Sequence, residues 1–180
     1  MPNMTLLPDG DNNVSSDWQP VGTINEWDAL QYNDDGTSYV KCDVHNEAMT
    51  IEFANPSVAE GDIASIDNVT FLSVGKSSHR TNSAVVAISF EAPAGVSSYV
   101  ESCAYDAHRT NWEQINGTLR TTSDGIGGTA WTYSDLEDLE MLCTKFLTTE
   151  VYLAYLALKV SYTAAAVVTA DNATFFGANF

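Results

Sequence analysis

The side chains with most chemistry to offer in this 180-residue chain are three histidines, three cysteines, four tryptophans and 24 carboxylates. His45, His79 and His108 stand apart, and none falls in an H-x-x-H or H-E-x-x-H arrangement that would set two imidazoles around zinc. Each is most simply a solvated or hydrogen-bonded histidine. Cys42, Cys103 and Cys143 are odd in number and lack paired spacing, which argues against a disulfide framework or a zinc knuckle. They are expected as small core residues of a reducing compartment. No G-x-S-x-G elbow, Cys–His signature or Walker loop occurs.

Asp135 with Glu137, and Asp138 with Glu140, have the residue types of a general acid–base pair. With 24 acidic residues in the chain such pairs arise by chance, so no catalytic residue is assigned and the chain is not expected to be an enzyme. Hard oxygen ligands gather at Asp9, Asp11 and Asn13 and again at Asn33, Asp34 and Asp35. The first group fails as an EF-hand, because Val14 stands where glycine is required and Pro20 where the bidentate glutamate belongs. Turn chemistry accounts for both groups, and neither a metal nor a cofactor is expected. Trp18, Trp27, Trp112 and Trp131 would make a sugar platform if two of them lay exposed on one sheet face. Burial in the core, or anchoring of a loop, is the competing fate.

The elements that would position these residues are mostly strands. Residues 1–17 have turn-forming composition and are expected as an N-terminal arm, with order beginning at Trp18 and a helical turn within Ile24 to Leu30. Ser38 to Val44, Met49 to Phe53 and Asp67 to Val74 carry strand-forming residues. Ala84 to Glu91 alternates apolar and small or polar positions, and Ala92-Pro93-Ala94-Gly95 turns it into a partner strand from Val96 to Tyr105. Asn116-Gly117 predicts a two-residue hairpin turn between Trp112 to Ile115 and Thr118 to Thr122. A glycine-rich loop follows at Asp124 to Thr129. Ser134-Asp135-Leu136-Glu137 has capping-box form and predicts one helical turn leading into a strand from Glu140 to Phe146. Val151 to Tyr162 is apolar at every even position, which favours a strand over a helix.

Such a succession of short strands, with turn signals between them and little helix, predicts an all-β, jelly-roll-like antiparallel sandwich. Residues 18–162 would form the sandwich, preceded by the arm and followed by a C-terminal tail, residues 163–180, that ends in Phe175, Phe176 and Phe180. Three phenylalanines on a tail too short to fold alone mark them as interface candidates. The net charge of −17 opposes binding to nucleic acid or an anionic membrane surface, since both rest on clustered Lys and Arg. The first residues lack a basic and apolar leader pattern, and no uncharged apolar run is long enough for an anchor.

The blocks Leu7-Pro8-Asp9-Gly10-Asp11, Trp18, Val21-Gly22 and Asp34 to Val40, with Gly128 to Glu140 and the final Tyr/Leu/Val strand, resemble jelly-roll structural proteins of tailed bacteriophages. The resemblance implies a virion protein of the capsid decoration (cement) type. Such a protein binds the major capsid protein on the outer capsid surface, stabilises the lattice, is commonly a homotrimer, and is made in the host cytoplasm. The alternative it leaves open is a receptor- or glycan-binding module of a phage tail or fibre.

Overall fold

The computed structural model describes residues 1–34, 36–77, 84–91, 97–105, 111–122, 129–137, 139–146 and 149–166; for residues 11–13, 84–85, 87–91 and 97–104 it gives the backbone path alone. In chain order the elements are β1 (Asn3–Leu6), β2 (Pro8–Val14), β3 (Gln19–Val21), α1 (Glu26–Ala29), β4 (Tyr39–Cys42), β5 (Ala48–Phe53), β6 (Ile63–Ser77), β7 (Ala84–Glu91), β8 (Ser97–Tyr105), β9 (Glu113–Asn116), α2 (Tyr133–Glu137), β10 (Glu140–Phe146) and β11 (Val151–Ala164). They form two antiparallel sheets. One runs β3-β4-β11-β6-β9, with β1 also on β11; the other runs β2-β5-β10-β7-β8. The fold is the expected jelly-roll-like sandwich: consecutive strands such as β4 and β5, or β10 and β11, lie in opposite sheets, so the chain wraps one core.

Period two dictates that core. In β10, Met141, Cys143 and Lys145 are buried while Leu142 and Thr144 are only half-buried. Facing them from the other sheet are Val40, Cys42, Val69, Phe71, Leu156, Leu158 and Val160, all in one apolar cluster. Lys145 is fully buried, and its ammonium donates to the Asp43 carbonyl oxygen at 3.3 Å. Cys42 and Cys143 are buried in the core; the Cys103 side chain lies outside the described residues.

Four local expectations change. Residues 3–14, expected within an arm, are built into both sheets: β1 pairs with β11, burying Met4 and Leu6, and β2 pairs with β5 through two register shifts that accommodate its turn-type residues. Asn116-Gly117 is not a hairpin turn. Both sides of it run along β6, with Asn116 opposite Leu72 and Arg120 opposite Val69, so the dipeptide sits at a one-residue bulge. The glycine is needed for space: a Cβ at Gly117 would overlap the Phe71 ring. Gly117→Ala is therefore expected to cost about 1–3 kcal/mol of stability, read as a lower urea midpoint at unchanged slope. The capping box lies two residues earlier than expected. Thr132, not Ser134, caps α2: the Asp135 N–H donates to Thr132 Oγ1 at 3.3 Å and the Thr132 N–H to Asp135 Oδ2 at 2.7 Å.

The fourth change concerns β11. The strand exists as expected and runs on to Ala164, but a bulge at Ala154 reverses its faces. Val151 and Leu153 point to the core before the bulge, and Leu156, Leu158, Val160 and Tyr162 after it. Tyr152 is thereby turned away from the core. The turn expected at residues 92–95, the loop at 124–128, and Phe175, Phe176 and Phe180 lie outside the described residues.

Candidate ligand-binding face

The outer face of the six-stranded sheet collects the side chains its alternation denies to the core. Pairing register places Gln19 beside Lys41, Lys41 beside Tyr152, and Tyr152 beside Lys76. One row thus crosses β3, β4, β11 and β6 and spans about 14 Å at the usual strand spacing. Tyr39 stands two residues before Lys41 on the same face of β4, its ring 5.5 Å from Tyr152 in an edge-on arrangement and 5.9 Å from Trp112. Trp112 immediately precedes β9 and lines an open groove of about 610 Å³ with Asn111, Glu113, Gln114 and Ile115. The Lys76 ammonium lies 4.3 Å from the Trp112 ring centroid and 5.2 Å from that of Tyr152, within cation–π range of both.

The loop before β4 holds Trp112 in place. Asp34 Oδ1 accepts from the Thr37 N–H at 3.0 Å, and Oδ2 accepts from the Ser38 hydroxyl at 2.7 Å. Burial would raise the Asp34 carboxyl, but these hydrogen bonds outweigh it and hold the group below its ordinary value. The loop so pinned turns at Gly36, with φ +79°, against the indole; a Cβ there would overlap the Trp112 ring. Turn chemistry is thus the use to which Asp34 is put. Among the described residues no three His, Cys, Asp or Glu side chains are grouped to hold a metal ion.

Beside the aromatic rings the face is acidic. A pocket next to Lys41 is lined by Asp17, Gln19, Asp43 and Glu150. The Tyr152 hydroxyl donates to Glu150 Oε2 at 2.6 Å. Burial first, and then this bond and the charge behind it, push the Tyr152 phenol up to about 12 from 10.0. A group whose folded value is raised holds its proton more tightly folded than unfolded. Its stabilisation is complete below about pH 10 and lost between about 10 and 12. Urea titrations across that window are expected to show a steeper loss of stability in the wild type than in Tyr152→Phe.

The tryptophans divide. Trp18 and Trp131 are buried at 1% and 4% exposure, and Trp131 donates its indole N–H to the Arg120 carbonyl at 3.1 Å. Trp27 packs half-buried against the core. Trp112 alone of the four joins the sheet-face cluster, and its companions there are tyrosines. The sequence marked Trp112 by type but missed Tyr39, Lys41, Lys76 and Tyr152, which assemble only once the register is known. His45 is exposed; His79 and His108 lie outside the described residues.

Of the carboxylates expected as chance pairs, Asp135, Glu137 and Glu140 lie among the described residues. Asp135 caps α2, while Glu137 and Glu140 line a pocket of about 250 Å³ with Asp9, Glu52, Phe53, Asn55 and Leu139. Asp138 is outside the described residues.

No protein-family model matches the chain, and no curated protein matches it significantly. Among solved structures it is similar to the C-terminal CBM6 of LamC, a marine laminarinase from Zobellia galactanivorans, at 10% identity and TM-score 0.48, covering 89% of this chain and 100% of that one. It is also similar to the family 30 carbohydrate-binding module of a cellulosomal cellulase of Clostridium thermocellum, at 8% identity and TM-score 0.43, covering 88% and 97%. A third is an arabinose-bound GH51 α-L-arabinofuranosidase, at 12% identity and TM-score 0.47; 87% of this chain is covered but only 26% of the enzyme's length. Superpositions this loose assign no function to the chain. A bacteriophage protein is not among these three.

Proposed function

We propose that the protein is a non-catalytic glycan-binding module whose ligand lies across the Trp112 face of the six-stranded sheet. The observation that carries this is the gathering of Tyr152 and Trp112 within 6 Å of Tyr39, beside a row of hydrogen-bonding side chains on a sheet face. A sugar ring offers an apolar C–H surface bounded by hydroxyls. It is complemented by aromatic faces with donors and acceptors at their rim, which Gln19, Lys41 and Glu150 supply. The acidic pocket at Glu137 and Glu140 offers no such aromatic surface beyond Phe53. Affinity electrophoresis against a panel of soluble glycans tests the proposal: retardation by at least one glycan is expected, and mobility unchanged by all of them would overturn it.

A second reading, a decoration protein bound to the major capsid protein on the outer surface of a phage head, is proposed on the resemblance of the Gly128 to Glu140 block. The net charge of −17, which disfavours a place beside packaged nucleic acid, is compatible with it. Copy number on purified particles separates the two: hundreds of copies without glycan affinity support decoration, and a handful of copies with glycan affinity supports the binding module.

A further inference from the structure

We infer that the ligand of this face carries positive charge, as a glycan with free, protonated amino groups does. The inference rests on the glycan-binding reading and specifies its substrate class. Lys76 provides the first observation: its ammonium is seated over both the Trp112 and Tyr152 rings, so the aromatic cluster already holds an alkylammonium from its own chain. Two rings over one cation, with Tyr39 packed against both, make part of an aromatic cage, in which the negative faces of the rings replace water around the charge.

The second observation is independent of the rings. Carboxylates stand at the β3–β4 end of the cluster: Glu150 accepts from the Tyr152 hydroxyl, and Asp17 and Asp43 line with it the pocket around Lys41. Among the described residues around the cluster, these three acids stand against two cations, Lys41 and Lys76. The chain as a whole carries −17, so the long-range field also draws cations in and turns anionic glycans away. A neutral sugar stacking on Trp112 must displace the Lys76 ammonium and put nothing charged in its place. An amino sugar replaces one ammonium with another and leaves Lys76 free to move into solvent.

Calorimetric titration of the full chain tests this with a glucosamine hexasaccharide, its fully N-acetylated counterpart and a cello-hexasaccharide, at mildly acidic pH where free amines are protonated. The glucosamine oligomer is expected to bind at least about tenfold more tightly than either neutral oligomer, and Lys76→Met is expected to strengthen that binding by removing the internal competitor. Trp112→Ala, which keeps the net charge, is expected to abolish the preference. Equal or tighter binding of a neutral oligomer would overturn the inference and leave the glycan-binding reading standing. A preference undiminished in Trp112→Ala would also overturn it, since diffuse attraction to an acidic protein would then explain the binding. Failure of all three oligomers overturns the inference, and failure across the wider glycan panel overturns the reading beneath it.

Discussion

Trp112→Ala is expected to weaken glycan binding by about 30-fold, the effect of losing about 2 kcal/mol at a central aromatic contact. Trp112 is placed to be that contact. It lines the groove, touches Tyr39 and carries the Lys76 ammonium, so its removal deletes the largest apolar surface of the face and two of the contacts that order it. The indole stands outside the apolar cluster that fills the sandwich, so the same substitution is expected to leave the urea midpoint nearly unchanged. Affinity and stability measured on one preparation therefore give a joint result. Weak binding by a stable variant supports the assignment of the face. Full binding contradicts it.

The largest loss of stability is expected from Phe71→Ala, at about 3–5 kcal/mol. Phe71 is buried at 1% exposure on the inner face of β6, packed in the core and pressed against Gly117. Removing the ring takes apolar contacts from both sheets and leaves a cavity under the bulge where β9 joins β6. Equilibrium urea unfolding measures the loss. A change under about 1 kcal/mol would mean that the site collapses around the smaller side chain and that the core is less tightly specified than its burial implies. Because Phe71 faces inward and Lys76 outward on the same strand, the fraction that remains folded is expected to bind glycan as the wild type does.

The strand inventory was legible because it depends on nearest-neighbour alternation. Glu140 to Phe146 and Val151 to Tyr162 show period two directly, and the bounds read from them match β10 and the start of β11. What alternation cannot show is a bulge. The single extra residue at Ala154 moves Tyr152 from the face shared with Leu156 to the opposite one, and so converts a presumed core residue into a member of the candidate site. Asn116-Gly117 misled for a related reason. The pair has the residue types of a tight turn, but the glycine is required by the Phe71 ring 46 positions away, a contact with no local signature. Residues 3–14 look like an arm by composition, yet Met4 and Leu6 are spaced to bury one face against β11. The aromatic cluster was half-visible: Trp112 stands out by type, whereas Lys41, Tyr152 and Lys76 come from three strands distant in sequence and meet only through pairing.

The most direct test of the central claim is a two-dimensional amide and indole NMR titration of the labelled protein with the glycan that retards it best in electrophoresis. The account predicts that the Trp112 indole N–H and the backbone amides of Tyr39, Lys41, Lys76, Glu113 and Tyr152 shift together and saturate with one affinity, while the buried indoles of Trp18 and Trp131 stay in place. Shifts clustered instead at Asp9, Glu52, Glu137 and Glu140, with the Trp112 indole unmoved, would contradict it.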